Sequence, residues 1–166
     1  MALHLARAYR RAAGFLVVSS LALLLAAASV FAQASAEVPA LTREVNDFAH
    51  VVDAGSEASL TQTIRALQAA SGDVIVVATV PTIAPYADVR EYAVKMFQNG
   101  GRGVGERGKD NGLLILLAIQ ERRVWVEVGY GLEPFITDGF SGQVSREVMT
   151  PAFRSGNYGS GLAAGT

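Results

Sequence analysis

The chain has 166 residues with a formal net charge of −1 at pH 7, and it contains no cysteine and only two histidines. Without cysteine, thiol catalysis, zinc–thiolate sites and iron–sulfur clusters are excluded. The histidine count leaves no basis for a multi-histidine metal site. Because the charges are balanced and no basic patch occurs, we expect no nucleic-acid partner.

The N-terminal segment resembles a targeting signal. Three arginines within the first eleven residues precede an uncharged stretch over 12–36, which is mostly apolar and ends in Ala34-Ser35-Ala36. A basic start, an apolar middle and a small-x-small ending are typical of a secretory signal peptide. We predict a signal over residues 1–36, with cleavage near Ala36 or alternatively at Ala32. An uncleaved anchor is the other interpretation, since the apolar run approaches the roughly 17–25 residues that span a bilayer.

The remaining residues, 37–166, are enough for one domain. We expect this domain to be exported and therefore periplasmic, extracellular or membrane-anchored. Its first predicted helix covers 54–70, because apolar residues recur there at helical spacing, with Asp53 or Ser56 as N-cap. A β-branched run without alternation follows over 73–80, which is typical of a strand buried on both faces. A second helix opens at Asp88.

A glycine-rich loop over 99–108 contains a formal G-x-G-x-x-G match at residues 103–108. In a dinucleotide-binding unit this motif follows a strand and opens a helix. Here it follows a predicted helix and leads into a predicted strand, so we expect no nucleotide cofactor.

Two further strands, 112–119 and 123–128, are separated by a short polar turn and predict an antiparallel hairpin. If the pairing centres near Glu121 and Arg122, Leu113 faces Tyr130 and Asp110 faces Glu133. A third helix is predicted from Asp138 to a stop near Pro151. The last residues resemble a helix start, so the C-terminal helix is expected to be truncated.

This element order predicts a three-layer α/β/α sandwich. Its small mixed sheet would contain a right-handed βαβ unit and the antiparallel hairpin. The hairpin would bring Asp110 and Glu133 to one sheet edge, where carboxylates repel each other unless a cation compensates them. Lys109 or Arg102 could supply that cation. A hard metal ion is the alternative, because Ca²⁺ accepts oxygen-only ligands, whereas Mg²⁺ demands tighter octahedral geometry.

Plainer interpretations exist for each acidic residue. Asp138 is a good helix N-cap, and Asp110-Asn111-Gly112 is an ordinary turn into a strand. Glu127 shares a strand face with Trp125 and is then simply half-exposed. Asp47 is a lone loop acid whose neighbours indicate no role.

Several segments together resemble the TPM domain family, which includes thylakoid lumen proteins and exported bacterial proteins. The resemblance is carried in chain order by VNDFA from Val45, GDVIVV from Gly72, DNGLLIL from Asp110, RRVWVEVGYGLE from Arg122 and PAFR from Pro151. It implies an α/β/α sandwich with a calcium site at the sheet edge. The matching positions are Asp110, Asn111, Glu127, Glu133 and Asp138, with Asp47 as a further candidate.

The resemblance also implies two functions of different classes. One is an accessory role in the maintenance or assembly of membrane proteins, with membrane proteins or complexes as partners. The other is acid phosphatase activity on phosphomonoesters, in which a metal-activated water would attack and Lys109, Arg102 or Arg107 would hold the phosphate. The chain lacks a cysteine loop and a D-x-D motif for covalent phosphoryl transfer. We therefore favour the metal-binding accessory domain, with Ca²⁺ before Mg²⁺.

Overall fold

The computed structural model of the protein describes residues 38–166, so the predicted signal peptide lies outside the described residues. Four strands form one sheet in the order β1-β2-β3-β4. The strands are β1 (Val45–Asp47), β2 (Val74–Val80), β3 (Gly112–Ala118) and β4 (Arg123–Val128). Strands β1, β2 and β3 are mutually parallel, while β4 runs antiparallel to β3. The mixed sheet with its parallel pair and hairpin is confirmed.

The helices are α1 (Ala54–Ser71), α2 (Val89–Gln98), α3 (Asp138–Val144), α4 (Thr150–Arg154) and α5 (Tyr158–Gly165), with a π-helical segment at Ser145–Met149 and a 3₁₀ turn at Asn99–Gly101. Side-chain caps define where α1 and α2 begin. The Asp53 carboxylate accepts the Ser56 N–H at 2.9 Å and the Asp88 carboxylate accepts the Arg90 N–H at 2.8 Å. Gly72, at φ +83°, ends α1. Within residues 38–166, no helix is both long and apolar enough to cross a membrane.

Each face of the sheet carries its own apolar layer. Alternate residues of β2 and β3, such as Ala78 and Leu116, pack with Met96 of α2 on one face. Their neighbours, such as Val77 and Ile115, pack on the other face against the core residues of α1, the π-helical segment and α5, which are Leu60, Ile64, Met149 and Leu162. The predicted three-layer sandwich is therefore confirmed.

The hairpin register differs from the prediction by two residues. Leu113 pairs with Val128 rather than with Tyr130, and the Gly131 N–H donates to the Asp110 carbonyl at 3.0 Å, so Asp110 faces Gly131 rather than Glu133. The reason lies in the turn. The strands end at Ala118 and begin again at Arg123, so the four connecting residues centre one position earlier than expected.

Three further details differ from the sequence prediction. The segment at Asp47 is a short strand, paired in parallel with β2, rather than a loop. Thr137, not Asp138, caps α3, since its hydroxyl accepts the Phe140 N–H at 3.3 Å. The third helix also continues past Pro151. The π-helical segment shifts the hydrogen bonding so that the Thr150 N–H donates to the Ser145 carbonyl, and Pro151 falls in a new first turn where its missing N–H costs nothing.

Candidate functional site

The open end of the β3–β4 hairpin, its mouth, brings two polar segments together, residues 109–112 and residues 129–133. The Gly129 N–H donates to the Gly112 carbonyl at 2.8 Å, and Gly131 bonds to Asp110 as described above. A Cβ atom on Gly131 would lie 2.6 Å from the Lys109 carbonyl oxygen, closer than real contacts allow. Only glycine therefore permits this approach of backbone to backbone, which gathers carbonyl oxygens at one edge of the sheet.

The same edge carries exposed acidic and aromatic side chains. Asp110 is exposed and adopts φ +50°, and Glu133 is exposed two residues beyond Gly131. Tyr130 and Phe135 on the same loop keep 77% and 81% of their surface in solvent. Asp110 and Glu133 thus lie at one edge, although they do not face each other in the ladder. Within residues 38–166, no ion pair includes either of them.

Asn111 is a buried brace beside this edge. Its side-chain oxygen accepts the Glu106 N–H at 2.8 Å, and its side-chain nitrogen donates to the Gly72 carbonyl at 2.8 Å. Its backbone carbonyl accepts the Val74 N–H at 2.9 Å. Asn111 therefore joins the glycine loop to the end of α1, and its polar atoms are already engaged within the protein.

Glu127 and Asp138 lie apart from Asp110 in different surroundings. Glu127 is half-buried on the α2 face of β4, and it accepts the Trp125 indole N–H at 2.9 Å. Asp138 is exposed in the first turn of α3, where a negative charge favours the helix N-terminus. Both have structural explanations that require no metal.

Asp47 lies on β1, which is the other outer strand of the sheet, and at the opposite end of the strands from the hairpin mouth. It pairs with Thr79 near the carboxyl end of β2, whereas Asn111 precedes the amino end of β3. Its carboxylate accepts the Thr79 hydroxyl, the Val51 N–H at 3.2 Å and the Val52 N–H at 2.9 Å. Asp47 therefore orders the chain before α1 and does not join the hairpin-mouth site.

The cationic candidates lie on the glycine loop or, in the case of Lys109, directly after it. Lys109 forms an ion pair with Glu106, with Nζ 2.6 Å from a carboxylate oxygen. Arg102 and Arg107 are exposed. The loop follows α2 and its 3₁₀ turn and leads into β3, the order expected from the sequence.

The hairpin-mouth edge offers oxygen ligands only. Among the described residues, no three His, Cys, Asp or Glu side chains are grouped as metal ligands. The glycine-permitted gathering of carbonyls beside two exposed carboxylates nevertheless suits the chemistry of a hard cation. The donors at this end are therefore oxygens of the type that hard cations prefer, and among the described residues they form no closed cage of ligands.

A second polar surface was not predicted from the sequence. A groove beside β4 is lined by Arg122, Arg123 and Arg146, and an adjoining cavity is lined by Arg122 and Arg154. The Arg122-Arg123 pair at the start of β4 was the available sequence signal. Arg146 and Arg154 line the same cavities only because the helical segment continues through Pro151, so the sequence pattern could not indicate them.

Comparison with family models and solved structures shows which known proteins the chain is similar to. The TPM_phosphatase family model, described as TPM domain, matches residues 45–166, which is more than half of the chain. The chain is 35% identical to the N-terminal domain of a P. gingivalis protein solved by NMR, with a TM-score of 0.67, and the match covers 75% of this chain and 77% of that one.

Two other solved structures share the fold. The N-terminal domain of cg2496 protein from Corynebacterium glutamicum has a TM-score of 0.58 at 18% identity, covering 78% of this chain and 80% of that one. The BA42 protein from Bizionia argentinensis has a TM-score of 0.55 at 22% identity, covering 69% and 75%. No curated protein matches the chain. The match over residues 45–166 and the shared fold agree with the sequence resemblance, and the chain belongs to the TPM domain family.

Proposed function

We propose that this TPM domain is an exported accessory domain that binds a divalent cation, Ca²⁺ in preference to Mg²⁺, and assists the maintenance or assembly of membrane proteins. The observation that carries the proposal is the loop after β4, which holds two largely exposed aromatic rings, Tyr130 and Phe135, beside the carboxylate of Glu133.

The aromatic rings support a binding role. Both rings are largely exposed, and aromatic residues are enriched at protein interfaces. Tyr130 and Phe135 lie five positions apart on a loop that is anchored at one end by the pairing of Gly131 with Asp110. The loop is thereby presented at the sheet edge, where a partner can reach both rings.

The neighbouring oxygens support the cation. Asp110 and Glu133 carry two negative charges at this edge, and the ion pairs of residues 38–166 compensate neither. A divalent cation bound by these carboxylates would neutralise their charge and link the loop after β4 to the segment before β3. Because few protein oxygens contribute, the affinity belongs in the range of about 10⁻⁴–10⁻³ M typical of extracellular calcium modules.

Thermal unfolding with and without calcium tests the proposal. A ligand that binds only the folded state at ten times its Kd stabilises it by about 1.4 kcal/mol, which raises the melting temperature by roughly 3–6 °C for a domain of this size. We expect this rise with millimolar CaCl₂ and a smaller one with MgCl₂. Asp110→Asn and Glu133→Gln should abolish it. Glu91→Gln, an exposed carboxylate in α2, is the matched control and should retain it.

The accessory role is measured on the same proteins. The wild-type chain should be retained by detergent-solubilised membrane complexes in calcium, and Phe135→Ser should lose this retention while keeping its calcium-dependent melting temperature. A wild-type melting temperature that calcium leaves unchanged, or a shift that survives in Asp110→Asn, contradicts the cation site.

The second candidate function is hydrolysis of phosphomonoesters, which the name of the matching family model suggests. The cations available for it are Arg102, Arg107 and Lys109, and Lys109 is already paired with Glu106. This function predicts release of phosphate from an aryl phosphate at acid pH in the presence of Ca²⁺ or Mg²⁺. Turnover that is lost in Asp110→Asn would favour the enzyme over the accessory domain.

A further inference from the structure

The groove between β4 and the helical segment that runs from α3 to α4 is a separate surface from the hairpin-mouth edge. It consists of two adjoining cavities of about 540 and about 470 Å³, which share Arg122, Val124 and Thr150. One wall is the outer edge of β4, and the other is the helical segment around Ser145 and Arg146. The groove therefore borders the first part of the edge strand, from Arg123 to Val126.

The outer edge of β4 has unpaired backbone groups. Gly129 forms a hydrogen-bonded pair with Gly112, so the residues of β4 that bond to β3 are Arg123, Trp125 and Glu127. The N–H and C=O groups of the alternate residues Val124, Val126 and Val128 then point away from the sheet. Within residues 38–166, no hydrogen bond from another segment reaches these groups.

Natural sheets shield their edges with short strands, charges or bulges, and an unshielded edge is a template for another strand. At the other edge of this sheet, β1 has only three residues. β4 has six residues in regular pairing with β3, and the backbone groups that point away from β3 belong to Val124, Val126 and Val128, whose side chains pack against the core. β4 carries the charged residues Arg123 and Glu127, but it is the longer of the two edge strands and the one that borders the groove.

The groove is lined by four arginines and one acidic residue, Asp138, so its net charge is positive although that of the chain as a whole is not. Arg122, Arg123, Arg146 and Arg154 are exposed along it. Within the described part of the chain, none of the four forms an ion pair with an acidic side chain. Gly142 lies against the Arg146 guanidinium, since a Cβ atom there would be 3.0 Å from Nη1.

A buried hydroxyl gives an independent indication of a ligand. Ser141 lines the groove with only 8% of its surface exposed, and its Oγ atom has no hydrogen-bond partner in the described structure. Buried polar groups are normally paired, so an unpaired one adjacent to a groove calls for a partner from outside.

We propose that β4 binds an extended acidic peptide segment of a partner protein as a fifth strand of the sheet. The outward backbone groups of Val124, Val126 and Val128 bond to the peptide backbone, and the arginines bind its carboxylates. Side chains alternate between the faces of a strand, so acidic residues at every second position all lie on one face of the added strand. A second copy of this chain is a poorer occupant, because its β4 offers one acidic side chain, Glu127, against the four arginines of the groove.

Binding of synthetic peptides to the full chain, measured by fluorescence anisotropy, tests the proposal. The probe is a labelled Glu-Val-Glu-Val-Glu-Val peptide with capped ends, and the charge control is the corresponding Lys-Val peptide. We expect the acidic peptide to bind and the basic peptide to bind at least about tenfold more weakly, because like-charge juxtaposition is strongly unfavourable. Hydrogen exchange at the Val124, Val126 and Val128 amides should slow when the acidic peptide is present.

Two matched comparisons separate strand addition from simple charge attraction. A peptide N-methylated on the backbone edge that faces β4 should lose binding, while one methylated at the alternate positions should keep it. The double variant Arg122→Glu/Arg146→Glu should bind at least about tenfold more weakly, whereas Arg43→Glu, on a remote exposed arginine paired with Glu57, should bind as wild type does.

Any of three results would overturn the proposal. The first is equal binding of the two methylated peptides, and the second is equal binding of the acidic and basic peptides. The third is that hydrogen exchange of the β4 amides is slowed by self-association of the chain or by anionic vesicles, but not by the acidic peptide. The calcium experiment concerns the opposite end of the hairpin, so its failure would leave this result unaffected.

Discussion

At the scale of single residues, polar side chains near the sheet edges act mainly as braces. The carboxylate of Asp47 holds the chain before α1, and Asn111 joins three segments. The capping role of Asp53 could be predicted because its partner Ser56 is three residues away. The role of Asn111 could not, since its partner Gly72 is 39 positions distant and meets it only in the folded chain.

Asn111→Ala should destabilise the fold. The substitution leaves the Glu106 N–H and the Gly72 carbonyl without their partner, and an unsatisfied buried group costs about 1–3 kcal/mol. Urea unfolding should show a reduced free energy of unfolding with an unchanged slope. Asn157→Ala, at an exposed asparagine without a side-chain cap bond, is the control and should stay within about 0.5 kcal/mol of wild type. Equal losses of unfolding free energy in Asn111→Ala and Asn157→Ala would contradict the bracing role of Asn111.

At the scale of elements, strand and helix bodies were predictable, while their junctions were not. β4 has the predicted bounds, because a β-branched and aromatic run predicts a strand from local pattern alone. The hairpin register depends on turn geometry. Arg122 adopts φ +53° and its N–H bonds to the Ile119 carbonyl at 3.2 Å, which makes the turn longer than the pattern indicated. The helix through Pro151 likewise depends on a π-helical shift that has no sequence signature.

At the scale of the whole molecule, the layered architecture follows from hydrophobic pattern. Both faces of β3 are buried, as a continuous apolar strand requires, and helices cover each face. The gathering of Asp110 and Glu133 at one edge could also be predicted, because it needs only the hairpin. The arginine groove could not be predicted, because it depends on how the helical segment packs against the sheet.

The domain should lose stability in acid. The hydrogen bond from Arg65 lowers the pKa of Glu44. Burial raises the pKa of Glu121, but hydrogen bonds from the Thr82 hydroxyl and the Ile83 N–H outweigh it and lower the pKa below 4.5. A depressed folded-state pKa contributes stability that is complete above the unfolded value, and that stability is lost as pH falls through the folded value.

Chemical denaturation at a series of pH values measures this loss. Wild type should become less stable as pH falls below 4.5, the unperturbed value for these glutamates. Glu121→Gln should show a shallower decline because one linked proton is removed, while Glu91→Gln should decline as wild type does. A decline in Glu121→Gln as steep as that of wild type would show that Glu121 is not linked to folding.

The contact between Gly112 and Val104 divides the glycine loop into two parts with different tolerance to engineering. A Cβ atom on Gly112 would collide with the Val104 carbonyl, whereas Gly100, Gly101 and Gly103 have no neighbour within 4 Å of the corresponding position. Gly101 and Arg102 are exposed, so we expect residues inserted between them to extend into solvent, at the cost of the turn bonds from the Arg102 and Gly103 N–H groups to Asn99 and Gln98. We expect a fluorophore tag or a protease cleavage sequence at this position to leave the contact of Gly112 with Val104, and with it the start of β3, in place.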